Sequence, residues 1–157
     1  MCCLCNDRVK FRTCIAEKKT MSPGNEKNIK HKIESPDTVK ADVLDCIEYE
    51  FKSQRDIDII IKQPEYTSLC PMSGLPDVGC ITIKYRPDTK IVELKSLKYY
   101  LLQYRNVGIF YESLVNLILD DLVTVLEPKF MDVTGDFTAR GGITTTVSAV
   151  FQGKNNE

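Results

Sequence analysis

Hydrophobic and polar residues settle into regular periods only in the second half of the chain. IDIII at 57–61 is a short apolar run, bounded by charge before it and by Pro64 after it, and it predicts a strand. CITIKYRPD then sets Ile81, Ile83 and Tyr85 against Thr82, Lys84 and Arg86, a half-buried strand stopped by Pro87 and Asp88. The period changes in ELKSLKYYLLQYRN. There Leu94, Leu97, Leu101 and Tyr104 recur at helical spacing until Asn106 and Gly108 end the run. A second helix is predicted from Phe110 to Leu126, with Phe110, Leu114, Leu117, Ile118 and Leu122 facing inward and Pro128 as its stop. Two further strands, KFMDVTGDF and ITTTVSAVF, flank Ala139-Arg140-Gly141-Gly142, where paired glycines permit a tight reversal. The order ββααββ predicts an α+β domain, an antiparallel sheet with both helices on one face.

Upstream the pattern fails. Residues 15–40 are lysine-rich, free of aromatics and broken by Pro23, Gly24 and Pro36, so they cannot bury enough apolar surface to order themselves. Residues 1–40 are therefore expected to form a disordered or loosely ordered leader whose removal leaves the fold nearly intact, with Met21 as an alternative start. Residues 41–157 are expected to form the single folded domain.

Charge and cysteine content narrow the function. With 21 basic and 22 acidic residues the formal charge is -1, so no global field draws the chain to nucleic acid or an anionic membrane. No stretch approaches the roughly 20 apolar residues of a membrane span. Asp7, Arg8, Lys10 and Arg12 interrupt any signal-peptide core, and a cytoplasmic protein is expected. Seven cysteines, four of them within the first fourteen residues, do not suit a secreted disulfide framework. Cys2 and Cys5 make a lone CxxC with no second pair, and His31 is the only histidine, so no metal site is expected and zinc-dependent hydrolysis is disfavoured. No GxGxxG follows a strand, which removes a Rossmann dinucleotide site.

SLCPMSGLPD, residues 68–77, holds the candidate chemistry. The thiolate is the nucleophilic form of cysteine, so Cys70 needs a base or positive surroundings, and Asp77 could exchange a proton as general acid or base. The pair alone is more plainly read as a buried inert cysteine followed by a turn aspartate. Lys95, Lys98 and Arg105 share one helical stripe, ordinarily a solvated face but also able to hold phosphates. Glu112 stands in the first turn of the second helix, where the helix dipole favours a carboxylate even without a ligand; between aromatic neighbours it could also pair with the N–H groups of a purine-like ring.

EYTSLCPMSGLPD, ELKSLKYYLLQYRN, FYE and FTARGGI, taken together, resemble the QueF family, the NADPH-dependent 7-cyano-7-deazaguanine reductases of queuosine biosynthesis. The likeness runs from about residue 42 to 151. ELKSLKYY resembles the family's ESKSLKxY signature, and the cysteine-to-aspartate interval is the family's own. The resemblance implies a tunnelling fold (T-fold) whose subunits assemble into rings, usually two stacked pentamers, with active sites at subunit boundaries. It implies that Cys70 adds to the substrate nitrile to form a thioimide, that Asp77 supplies the proton, and that two NADPH molecules reduce the adduct to a primary amine. Val92, Glu93 and Leu94 would line the deazapurine base, Tyr111 would adjoin it, and Glu112 would anchor its pyrimidine edge. Lys95, Lys98 and Arg140 would hold the NADPH phosphates. Tyr111 stands where histidine is common in the family, Leu94 where serine is common, and Val78-Gly79 replaces a bulkier pair. Two rivals share these features in part: a relative that adds ammonia to a nitrile carried on tRNA, which lacks the ELKSLK segment, and a non-catalytic purine-binding T-fold subunit.

Overall fold

The computed structural model describes residues 32–52 and 54–153. Its strands and helices are β1 (Cys46–Glu48), β2 (Ile59–Leu69), β3 (Pro76–Arg86), β4 (Lys90–Val92), α1 (Leu94–Leu102), α2 (Tyr111–Leu126), β5 (Phe130–Arg140) and β6 (Ile143–Gln152). Short 3₁₀ turns occupy Pro36–Thr38, Ala41–Val43 and Gln103–Asn106. β2, β3, β5 and β6 form one antiparallel sheet in that order, and β1 pairs with β4 in a separate ladder. The expected ββααββ order and α+β class hold. The β1–β4 pair is an addition, because strands of three residues carry no legible period.

The sheet is one-sided. Register sets Ile81, Ile83 and Tyr85 of β3 beside Gly135, Val133 and Met131 of β5, and these residues are buried together with Leu114, Val115, Ile118, Leu122 and Leu126 of α2. The opposite face is polar: Ser148 donates to Asp132 at 2.9 Å and Thr146 to Asp136 at 2.7 Å, both across the β5–β6 pair. Antiparallel sheets tolerate this division because alternate side chains point to opposite faces.

Three expectations need correction. β2 does not end at Pro64 but runs on to Leu69. It lies at a sheet edge, where the N–H that proline lacks is not needed by a neighbour, and a one-residue bulge between Gln63 and Tyr66 absorbs the irregularity. Leu94, counted in the helical apolar period, and Phe110, expected to face inward, are 62% and 45% exposed. Leu94 takes the first helical position, off the buried stripe of Leu97, Tyr100, Leu101 and Tyr104, and Phe110 is the extended N-cap of α2 rather than part of it.

The ordered domain also starts before residue 41. Val39 is buried in the core cluster, the Glu34 N–H donates to the Asn106 carbonyl at 2.8 Å, and Gln103 exchanges two hydrogen bonds with the Lys40 backbone. One valine in a polar tract makes no periodic signal, which hid this segment. Cys2, Cys3, Cys5, Cys14, Met21 and the rest of residues 1–31 lie outside the described residues. A chain beginning at residue 41 is expected to lose about 2 kcal/mol of stability, the scale of one buried valine, read as a lower urea midpoint. An unchanged midpoint would show that the segment contributes nothing to stability.

Candidate active site

Cys70 leaves the end of β2 and opens the turn that leads into β3. Its N–H donates to the Leu75 carbonyl at 2.9 Å, its carbonyl accepts from the Gly74 N–H at 2.8 Å, and Gly74 takes a φ of 69°, which favours glycine. The thiol is partly exposed. Burial pushes it up, but the Ser73 hydroxyl, the Ser73 and Met72 N–H groups and the Arg140 guanidinium outweigh that effect and hold it below the ordinary thiol value. Such surroundings favour a nucleophilic thiolate.

Asp77 is 3% exposed on the helix-facing side of β3, directly opposite Ser68 of β2. Two groups meet on its Oδ1: the Tyr111 hydroxyl donates a hydrogen bond to it, and the Arg140 Nε forms an ion pair with it at 2.9 Å. Arg140 reaches this face because of a bulge. Phe137 pairs with Thr145 but Arg140 with Ile143, so one extra β5 residue reverses the alternation and turns Arg140 to the side of Phe137 and Asp77. The Gly141-Gly142 turn, with φ of 56° and 84°, then sends the chain back as β6. Arg140 Nη2 also donates to the Leu75 and Pro76 carbonyls at 3.1 and 2.7 Å, tying β5 to the cysteine turn.

The residues proposed for base and cofactor are not all gathered here. Cys70, Asp77, Tyr111 and Arg140 converge, and Glu112 stands exposed in the first turn of α2 beside Tyr111. Val92, Glu93, Leu94, Lys95 and Lys98 belong to β4 and α1. β4 lies near the other end of α2, where Lys90 pairs with Glu127 at 3.4 Å. The 16 residues of α2 put about 24 Å between that end and Tyr111. The Glu93 carboxylate caps α1, accepting from the Lys95 and Ser96 N–H groups at 2.8 and 2.7 Å. Lys95 and Lys98 are exposed, with the Lys98 ammonium 4.9 Å from the Tyr99 ring centroid.

Sequence reasoning missed Ser73 and Phe137. Ser73 follows Cys70 by three residues, the spacing at which a turn hydroxyl folds back, so a local signal existed. Phe137 read only as a strand residue. A concavity of about 1250 Å³ lies at the opposite end of the sheet, lined in part by Asp56, Asp58, Arg86, Lys129 and Phe151. Two ion pairs lie along it, Arg86 with Asp58 at 3.0 Å and Lys129 with Asp56 at 2.7 Å, and no cysteine lines it.

Comparison with known proteins shows which proteins the chain is similar to. Residues 76–156 match the family model described as QueF-like protein. The chain is 52% identical over 114 residues to the NADPH-dependent 7-cyano-7-deazaguanine reductase of Chloroherpeton thalassium, covering 73% of this chain and 97% of that one. The reductase of the same name from Pelodictyon phaeoclathratiforme is 54% identical over 110 residues, 70% of this chain and 94% of the relative. Among solved structures, the apo form of the archaeosine synthase QueF-Like aligns with a TM-score of 0.56 at 22% identity, covering 66% of this chain and 99% of that one. That likeness concerns the fold alone.

Proposed function

The chain belongs to the QueF family, and from that premise we propose that it reduces the nitrile of 7-cyano-7-deazaguanine to the primary amine with NADPH, a step of queuosine biosynthesis. The observation that carries the chemistry is that Cys70, held below the ordinary thiol value, and the buried Asp77 both meet the Arg140 guanidinium. The Cys70 thiolate attacks the nitrile carbon, forming the C–S bond of a thioimide while Asp77 gives a proton to the nitrile nitrogen. Addition converts a linear, poorly electrophilic nitrile into a C=N group that accepts hydride readily. NADPH, when bound, supplies the two hydrides that, with two protons, yield the amine. Expulsion of the Cys70 thiolate in the course of reduction restores the nucleophile.

Glu112 would anchor the pyrimidine edge of the base, with Val92, Glu93 and Leu94 lining it. Because the Glu93 carboxylate is engaged as a helix cap, that residue would meet the base through its backbone. Lys95, Lys98 and Arg140 suit cofactor phosphates: the two lysines are exposed, and the Arg140 side chain is 37% exposed despite its bond to Asp77. Since β4 and the start of α1, with Val92, Glu93 and Leu94, lie toward the end of α2 remote from Cys70, a complete pocket requires a second protomer to bring those residues to the first protomer's cysteine turn. β6 supports assembly: it is an edge strand of ten residues without a charge, and Ile143 and Val150 are 73% and 52% exposed. Two stacked pentameric rings are the arrangement we infer. The near-balanced charge fits a small-molecule substrate better than tRNA. Among the described residues no helix is long and apolar enough to cross a membrane.

Purified protein mixed with 7-cyano-7-deazaguanine and NADPH is expected to consume two NADPH per nitrile, followed as loss of nicotinamide absorbance. Turnover of a nitrile on tRNA without NADPH would favour the amidine-forming reaction instead, and no reaction of either kind would leave a binding subunit.

A further inference from the structure

The environment of Tyr111 gives that residue a role other than contact with the base. Its ring stacks on Phe137 with centroids 3.7 Å apart and planes within 8°. Phe137 can lie flat there because two glycines make the space. A Cβ on Gly79 would come within 2.9 Å of the Phe137 ring, and one on Gly135 within 2.7 Å. Both contacts are closer than side chains tolerate. The glycines of β3 and β5 thus form a shelf, the phenylalanine covers it, and the tyrosine lies on the phenylalanine. The outcome of that stack is the position of one hydroxyl, which donates to Asp77 Oδ1.

We propose that Tyr111 is a positioning residue for nitrile reduction that acts through Asp77: held by the Phe137 shelf, its hydroxyl joins Arg140 in fixing Oδ1, so that Oδ2 is the oxygen that carries the proton to the substrate. An oxygen that accepts from a phenol and is paired with a guanidinium is a poor site for a further proton, and contacts from two different elements, α2 and β5, hold the carboxylate in one orientation. Burial, followed by the bond to Asp77 and its charge, pushes the Tyr111 hydroxyl up to about 12, so it stays a protonated donor at neutral pH. Tyr111 therefore keeps one neutral donor in place across the pH range in which an imidazole would change its charge. This assignment rests on the reductase reading above.

The test uses the full-length protein and two measurements, kcat for nitrile reduction and, in a Cys70→Ala background, the calorimetric Kd for 7-cyano-7-deazaguanine. Tyr111→Phe keeps the ring stack and removes only the hydroxyl. It is expected to lower kcat by about 10- to 100-fold, the scale of a misaligned reacting group, while Kd stays within about twofold. Phe137→Leu is expected to lower kcat similarly, and Tyr111→Phe combined with Phe137→Leu to be no slower than the slower single variant, because both act through one hydrogen bond. A Tyr111→Phe enzyme with parental kcat, or one whose main defect is a Kd weakened more than about tenfold, would return the tyrosine to base recognition. Multiplying defects in the double variant would break the link through the shelf. Should Phe137→Leu fail to fold, the split between kcat and Kd in Tyr111→Phe decides alone. A parent protein that consumes no NADPH with the nitrile overturns the reductase reading and this assignment with it, an outcome distinct from an active parent with an unaffected variant.

Discussion

Cys70→Ala protein is expected to show no nitrile-dependent NADPH consumption, a loss of at least about 10⁴-fold, since removal of a covalent nucleophile leaves only binding and general electrostatics. The thiol is the one described cysteine placed in a turn with hydrogen-bond donors and a guanidinium around it. Cys46 is exposed on the short strand β1, and Cys80 lies within β3. Mass spectrometry of the parent mixed with the nitrile alone should therefore show an adduct on Cys70, retained in Cys80→Ala and absent in Cys70→Ala. Alkylation of Cys70 by iodoacetamide supplies the pH dependence. The group's proton is lost below the ordinary thiol pKa, so the alkylation rate should reach its plateau at a lower pH than that of an unperturbed thiol. A plateau at or above the ordinary value would mean that burial, which acts in the opposite sense, dominates the site. An adduct on another cysteine during turnover would end the thioimide proposal.

Asp77→Asn comes next in size, with an expected fall in kcat of about 10² to 10⁴, the usual contribution of a positioned general acid. The amide matches the carboxylate in volume and can still accept from the Tyr111 hydroxyl, so packing at this buried position is preserved. It cannot deliver a proton to the nitrile nitrogen. The substitution also leaves Arg140 facing a neutral group, but the guanidinium is 37% exposed and can recover part of its solvation. A thermal melt close to the parent's together with lost turnover would separate chemistry from folding. Parental turnover in a folded Asp77→Asn enzyme would remove Asp77 from the proton path and point to solvent as the donor.

The sequence by itself was sufficient for the class and for singling out Cys70 and Asp77 as the proposed pair. Period-two alternation at Ile81, Ile83 and Tyr85 and helical recurrence at Leu97, Leu101 and Tyr104 survive in the fold because each period is the direct consequence of a local backbone geometry meeting one apolar face. The Cys70-to-Asp77 interval was equally legible, since a turn brings the residues at its two ends together whatever surrounds it. Tertiary structure decided everything that depends on parity, reach or shape. The bulge before Tyr66 and the one after Phe137 each add a residue that no local pattern announces, and each changes which side chains face the helices. That is how Arg140, expected among the cofactor cations, comes to pair with Asp77, and why β2 passes through Pro64. Nothing along the chain marks Gly79 and Gly135 as functional, and only the Phe137 ring above them supplies their reason. The wide separation of β4 from Cys70 likewise has no signature along the chain, because distance across a domain is set by helix length and sheet order together, and sequence spacing records neither.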